Sequence, residues 1–352
     1  MSRMTTDKTY AVANKSIEIS IRGRWVRVPA LYVNGRAVVV DGKWIRVAAI
    51  HDEAWLETEL EDPELVVEKL KEQGPHGLRA DIFTFAQKLP TTLPKHKYPI
   101  EWDSLAVART DSFRDWWERL PQETRKNVRR STKRGVVVSA KEFDEELIRG
   151  IAEVNNDSPM RQGLPNSHYG KSLEQVKKDE ESFLDRSDFI CAYLGSEMIG
   201  FLKLVHMGEV AAILNLTSKA SQHDNRPANA LIAKAIEVCE AKGVFYLTYG
   251  MFNHGNKRES PLRQFKIRNG FEEIVVPRFY VPLTAKGSLL MKLKLHRGIL
   301  GILPPRLIAL GLRARGRWYN LVGSKSRCSS MSEQLNRYRQ MGCSNPPAGS
   351  SS

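Results

Sequence analysis

VAAILNLTSKASQHDNRPANALIAKAIEVCEAKGVFYLTYG, residues 210–250, is the stretch whose reading decides the fold. Residues 210–217 form an apolar run with strand character, 218–226 are polar and turn-prone, 227–242 read as a helix, and 244–249 are apolar and aromatic again. A strand, a polar loop, a helix and a strand in this span make a βαβ unit. Local signals agree on the helix. Asp224 or Asn225 can cap it, Pro227 falls in the first turn, where its missing N–H costs nothing, and Gly243 stands as a C′ glycine. Ala228, Leu231, Ile232, Ala235 and Cys239 form one apolar stripe at helical spacing. The polar loop therefore meets the positive end of a helix, an arrangement that receives phosphates or carboxylates.

The rest of the chain bounds what this unit belongs to. With 352 residues and 41% apolar side chains, there is material for two domains and a sizeable core. Cys191, Cys239, Cys328 and Cys343 have no C-x-x-C spacing, so a reducing, cytoplasmic setting is expected, without a zinc site or disulfide framework. No apolar run near the N-terminus reads as a secretory signal, and none anywhere approaches the roughly 18 residues of a membrane span. No metal-ligand spacing, Ser/His/Asp order or Walker loop is present. The net charge is +14, and much of the excess is local: residues 274–332 hold no Asp or Glu but eleven Lys and Arg. A field of one sign implies an anionic partner, either a membrane surface or nucleic acid.

Residues 1–14 are expected to be flexible. Within 15–110, an α+β region, residues 16–50 read as a β-meander, with Asn34-Gly35 and Asp41-Gly42 as two-residue hairpin signals. A helix over 63–73 is capped by Asp62. Residues 111–134 are helical with a break near Pro121, and there Arg125, Arg129 and Lys133 run beside Lys126, Arg130 and Arg134 as two basic rows. These rows are either a solvated face or a docking surface for an anionic ligand. Strand 135–140, helix 142–156, a polar loop over 156–170, helix 172–185 and a hairpin around Gly195-Ser196 lead into the opening unit. Ser260-Pro261 then starts a helix that Asn269-Gly270 ends, and 274–281 is a strand. Residues 286–323 form a basic amphipathic segment whose apolar runs are broken by Pro304 and Pro305, and 324–352 are expected to be disordered.

From 135 to 283 the order of elements resembles the GNAT acyltransferase fold, an α+β (α/β) architecture with a mixed, mostly antiparallel sheet flanked by helices. The phosphate-loop pattern of that family is Gln/Arg-x-x-Gly-x-Gly/Ala. The matching stretch here is Gln222-His223-Asp224-Asn225-Arg226-Pro227, with Asn225 and Pro227 in place of the glycines. Asn tolerates positive φ, whereas Pro removes an amide donor. SPLRQFKIRNGF, residues 260–271, looks like the closing GNAT helix with Phe265 as its anchor. RKNVRRSTKRGVVV followed much later by FKIRNGF is similar to the Fem-type transferases, which are built from tandem GNAT-like halves. That resemblance makes 15–110 a diverged first half and 111–285 the transferase domain.

What the resemblance implies is transfer of an acyl group from acetyl-CoA or another acyl-CoA to an amine. The donor would lie on Leu216 and Thr217, with Gln222 in its phosphate loop and its pyrophosphate at the four amides of Asn225, Arg226, Ala228 and Asn229. Lys266 matches the lysine of the Fem-type pattern that faces the cleft. Asn215 alternates into the cleft or makes a core hydrogen bond, and Tyr249 ends the next strand. His254 titrates near neutrality and takes a proton, or is an exposed loop histidine. Arg161, Gln162, His168, Tyr169 and Asn253 would build the acceptor side. No metal is required. The acceptor is read as an amine on a cell-envelope or exported saccharide precursor, met at an anionic membrane face by 286–323. The alternatives are a Fem-type transferase using aminoacyl-tRNA, with 125–134 as RNA contact, and a non-catalytic GNAT-shaped membrane or anion binder.

Overall fold

A computed structural model describes residues 12–21, 24–73, 77–161, 164–253 and 260–297. The elements below belong to one compact unit that ends at His296. Strands β1 (Val12–Ile21), β2 (Arg24–Val33), β3 (Arg36–Asp41) and β4 (Val47–Ile50) form the meander. Helix α1 (Pro63–Lys71) starts where the Asp62 carboxylate accepts from Leu65 N–H at 2.9 Å. Strands β5 (Ile82–Ala86) and β6 (Ile100–Arg109) precede helices α2 (Phe113–Arg119) and α3 (Gln122–Lys133), parted at Pro121. Next come β7 (Val136–Lys141), α4 (Glu145–Asn156), the two-residue strands β8 (Met160–Arg161) and β9 (Leu164–Pro165), and α5 (Leu173–Glu180). Strands β10 (Ser187–Leu194), β11 (Glu197–Met207) and β12 (Val210–Ser218) lead to α6 (Pro227–Ala241). The chain closes with β13 (Tyr246–Met251), α7 (Pro261–Arg268), β14 (Glu272–Pro282) and α8 (Ala285–Lys292).

Twelve strands make one sheet in the order β1-β2-β3-β4-β5-β14-β6-β13-β12-β11-β10-β7. Only β4 with β5 and β12 with β13 pair in parallel; the other neighbours are antiparallel. The order repeats itself outward from the β14/β6 centre. Each side has four strands in meander or hairpin sequence, a parallel neighbour reached through a helix, and a last strand contributed by the opposite side. Strand β14 pairs with β5, and β6 pairs with β13. The halves are thus interlocked by exchanged strands. Both crossover helices, α1 and α6, carry proline at the first helical position.

The two halves differ in what covers the sheet. No helix separates β1 from β2 or β5 from β6, whereas α4 and α5 separate β7 from β10 and α7 separates β13 from β14. The largest core cluster lies in the second half. It packs Leu231, Ile232, Ala235, Ile236 and Cys239 of α6 on Ala211 and Ile213 of β12, Leu247 of β13 and Trp116 of α2. Leu231, Ile232 and Ile236 are fully buried, each contributing about 1.5–3 kcal/mol of transfer free energy. Of the expected stripe only Ala228 is incompletely buried; it faces a pocket instead.

Several local expectations need correction. Asn34-Gly35 is a two-residue turn with positive φ at both positions, as expected, but Asp41-Gly42 is not. Five residues, 42–46, separate β3 from β4, and the Gly42 backbone packs so closely on Ile45 that a Cβ there would lie 2.0 Å from its carbonyl oxygen. Trp44 therefore stands in a loop. Strand pairing begins at Val12, inside the segment expected to be flexible. Neither Asp224 nor Asn225 caps α6. Arg226 occupies the N-cap in the left-handed region, φ 55°, so the positive φ expected of Asn225 falls one residue later.

Candidate active site

Strands β12 and β13 pair only from Val210–Ala212 with Tyr246–Thr248. Beyond that they diverge: β12 continues to Ser218 beside β11, and β13 to Met251 beside β6. A bulge drives the divergence, since Leu204 pairs with Ile213 but Lys203 pairs with Asn215, leaving Leu214 unmatched. The result is a wedge between two strands at their carboxyl ends, the ligand side of parallel units.

On one face of the wedge, the N-termini of α6 and α7 converge on a pocket of about 790 Å³. Its walls include Ser218, His223, Arg226, Ala228 and Asn229 from the β12–α6 corner, Gln264, Phe265 and Arg268 from α7, and Glu123, Thr124 and Asn127 from α3. Among the described residues, two helix dipoles and two guanidinium groups meet a single wall carboxylate, a balance that favours an anion. Each helix terminus contributes about 0.3–1 kcal/mol to such binding. Among the described residues, Asn127 Oδ1 and Arg226 Nε are buried without a hydrogen-bond partner. The corner is held by Arg134, which donates to Asp224 O at 2.7 Å, and by Asn225 Nδ2, which donates to Gln222 Oε1 at 2.7 Å.

The backbone of this corner offers less than expected. The N–H groups of Asn225, Arg226 and Asn229 already donate to the carbonyls of Gln222, His223 and Arg226 at 3.0, 3.1 and 3.2 Å. Of the four amides expected to meet a pyrophosphate, Ala228 N–H alone is not engaged in this turn. The cause is local: Pro227 supplies no N–H, and the left-handed Arg226 closes the turn on itself.

Lys266, although 2% exposed, lies at the seam of the wedge. Its ammonium donates to Met251 O at 2.7 Å and sits 4.7 Å from the centroid of the Tyr249 ring. Burial lowers the Lys266 pKa to about 8 and pushes the Tyr249 phenol up to about 12. Lysine is thus mostly charged at neutral pH, tyrosine neutral. α7 is oriented by its Ser260 cap, 3.1 Å from Arg263 N–H, and by Gly270, behind which Trp116 donates to Asn269 O at 3.2 Å.

Met251 also lines a second cavity, of about 230 Å³, on the opposite face. Apolar walls come from Trp55, Leu56, Leu105, Val210, Ala212 and Val276, and its charged groups are few and close. Arg278 donates to Asp103 Oδ2 at 2.7 Å and to Glu53 Oε2 at 3.1 Å. Glu53 also accepts from Ala86 N–H at 2.7 Å, yet burial still pushes its carboxyl up. Lys88, which donates to Leu56 O, is lowered to about 8 by burial. Arg278 thus engages both carboxylates, and Glu57 lines the same cavity. Sequence reading missed this cluster because its members come from four separate segments.

The other expected site residues are placed as follows. Asn215 Nδ2 donates to Glu180 Oε1 at 2.9 Å, and Thr217 Oγ1 donates to Asn215 Oδ1 at 3.1 Å. Arg161 spans Thr217 Oγ1 at 3.1 Å and the carbonyls of Val154 and Ser218 at 3.3 Å, so it ties the 158–172 loop to β12. Leu216 packs into the core, and neither it nor Thr217 lines the α6/α7 pocket; their neighbour Ser218 does. His168 stands 3.6 Å from Asp179, and Tyr169 is exposed. Asn253 donates to Glu273 Oε1 at 2.8 Å and accepts from Arg263 Nε at 3.0 Å. Gln162 and His254 lie outside the described residues. Among the described residues no three metal-ligating side chains come together. Arg268 and Asn127, absent from the expected set, line the pocket because α7 and α3 reach the N-terminus of α6.

No protein-family profile matches the chain, and no curated protein does. Among solved structures, FemX shares its fold and others are similar over most of their length. FemX superposes with a TM-score of 0.51 at 11% identity, over 80% of this chain and 90% of that one. L-PGS from Bacillus licheniformis gives 0.46 at 12% identity, over 76% and 86%. A tandem GNAT protein from the clavulanic acid biosynthesis pathway gives 0.40 at 9%, over 73% and 83%. The fold is that of FemX, with a mixed, mostly antiparallel sheet between helices.

Proposed function

We propose that the chain is an N-acyltransferase that moves an acyl group from acyl-CoA, held between α6 and α7, to an amine held in the cavity across the sheet. The observation that carries this reading is the convergence of two helix N-termini, Arg226 and Arg268 on one large pocket beside the β12/β13 wedge. In the reaction the neutral amine attacks the thioester carbonyl, the C–S bond breaks, and the proton lost by the amine accompanies the departing thiolate. Lys266 supplies positive charge to the oxygen that becomes anionic on attack. Glu53 and Asp103 hold the amine end of the acceptor, and the apolar walls hold its body. An amine on a cell-envelope or exported saccharide precursor fits this class. Calorimetry with CoA tests the donor: a saturable heat that Arg226→Ala and Arg268→Ala each weaken supports it.

One observation favours a second donor. α3, which walls the pocket, exposes Lys126, Arg129, Arg130 and Lys133, and none of these forms an ion pair among the described residues. An aminoacyl-tRNA donor would use that face. No heat with CoA, together with tRNA binding that weakens steeply with salt, would replace the first reading by this one.

A further inference from the structure

We infer that the molecule docks on an anionic lipid bilayer through the 42–46 loop, the outer face of α8 and a basic basin beside them, whichever donor it uses. Trp44 is 75% exposed at the tip of that loop. Leu289 on α8 and Leu293, the C-cap residue one turn later, are each 56% exposed. The two elements are fixed to one another. Lys286, one turn before Leu289, donates to Trp44 O and to Asp81 Oδ2 at 3.1 Å. Thr284 caps α8 through Gly287 N–H at 2.9 Å, and Gly287 lies against Asp81 so closely that a Cβ would come within 1.9 Å of its carbonyl oxygen. With Leu290 buried beneath, α8 cannot turn its exposed leucines inward without losing these contacts.

Charge decides the occupant. Lys43, Lys292 and Lys294 are exposed around the apolar side chains. Directly behind the loop an open basin of about 410 Å³ is lined by Lys15, Arg46 and Arg79, none of which is ion-paired among the described residues. Of the nearby acids, Asp81 is paired with Lys286 and accepts from the Arg46 N–H, and Asp41 accepts from Gly42 N–H at 2.7 Å. The sequence that continues from α8 adds cations and no acid up to residue 332. A tryptophan and two leucines ringed by lysine and arginine match the layering of a bilayer surface, with apolar side chains at the acyl boundary and cations among phosphates. A protein partner of equal size would need complementary acids over the same rim.

Sedimentation of the full chain with vesicles tests this, comparing phosphatidylglycerol/phosphatidylcholine mixtures with phosphatidylcholine alone. Binding should need the anionic lipid, and Trp44→Ser/Leu289→Ser/Leu293→Ser should weaken it by about tenfold or more. Arg46→Gln/Arg79→Gln should weaken it by about tenfold. Trp44→Phe should keep the binding but lose a blue shift of tryptophan emission that the parent shows on vesicles. Because all of these side chains are exposed, unchanged thermal melting should accompany each result. Binding of the triple variant equal to the parent would overturn the inference, since 298–352 alone would then carry the affinity. So would equal binding to neutral vesicles. Light scattering in which the parent is a dimer that the triple variant dissociates, without vesicle binding, would assign the patch to a second copy of the chain.

Discussion

Lys266 Nζ lies 2.7 Å from the carbonyl oxygen of Met251, so one hydrogen bond joins the helix that walls the large pocket to the strand end that lines the cavity across the sheet. Burial lowers the Lys266 pKa from 10.5 to about 8. Between those values the unfolded chain binds the extra proton, so stability rises with pH across that window and the burial penalty is fully present below it. Lys88 and Lys203 are shifted in the same direction, so the informative quantity is the difference between the parent and Lys266→Met. Denaturant titrations from neutral to alkaline pH should show a smaller rise in the variant.

The same group sets the pH dependence of transfer. A Lys266 that acts as a cation loses its effect as pH rises through about 8. The turnover number should fall along that limb, and Lys266→Met should remove the limb and cost about 10²–10³ in turnover. A rate that instead climbs through the same pH in the parent but not in Lys266→Met would make Lys266 a proton acceptor.

Arg226 carries φ 55° at the N-cap of α6, a conformation that costs about 1 kcal/mol in a residue other than glycine. Arg226→Gly should therefore be about as stable as the parent or slightly more so, while CoA binding weakens by about tenfold through the lost charge. Chemical denaturation and calorimetry on one preparation check the two effects, which move in opposite directions.

Arg278 stands between Glu53 and Asp103 in a largely buried site. Arg278→Met leaves two unpaired carboxylates and should destabilise the fold by about 3 kcal/mol. Asp103→Asn keeps a hydrogen-bond acceptor for Arg278 and should cost less than half of that, but raise the KM for the amine acceptor without changing the affinity for CoA. Urea titration and steady-state kinetics distinguish these outcomes.

Gly270 has φ 79°, and a Cβ there would lie 2.6 Å from Trp116 Nε1. Gly270→Ala should destabilise by about 2 kcal/mol and displace α7 from the pocket, measured as a lower melting temperature and weaker CoA binding.

What could be read from the residues alone follows interaction range. Helix α7 was legible because Ser260, Pro261 and Gly270 act within a few residues of one another, and α6 because its apolar stripe and Gly243 do. Its cap was misassigned since capping preference describes side chains, whereas Pro227 and the turn hydrogen bonds determined which residue turned left-handed. The exchange of β14 and β6 was not legible: the pairing of Phe85 with Phe279 joins residues far apart in the chain. The cavity cluster was hidden for the same reason, as Glu53, Asp103 and Arg278 meet only after that exchange. Lys266 was found through its place in FKIRNGF, but its burial and its bond to Met251 became visible only in three dimensions. Asn215 had two readings, and its bond to Glu180 satisfies the amide as a core contact would.

The most direct measurement is a crystal of the full chain soaked with a non-hydrolysable acyl-CoA. The pyrophosphate should lie against Arg226, Ala228 and Arg268 between α6 and α7, with the acyl end directed to Lys266 at the wedge. Density for the nucleotide elsewhere, with residues 226–229 free of contact, would contradict the donor site and with it the proposed transfer.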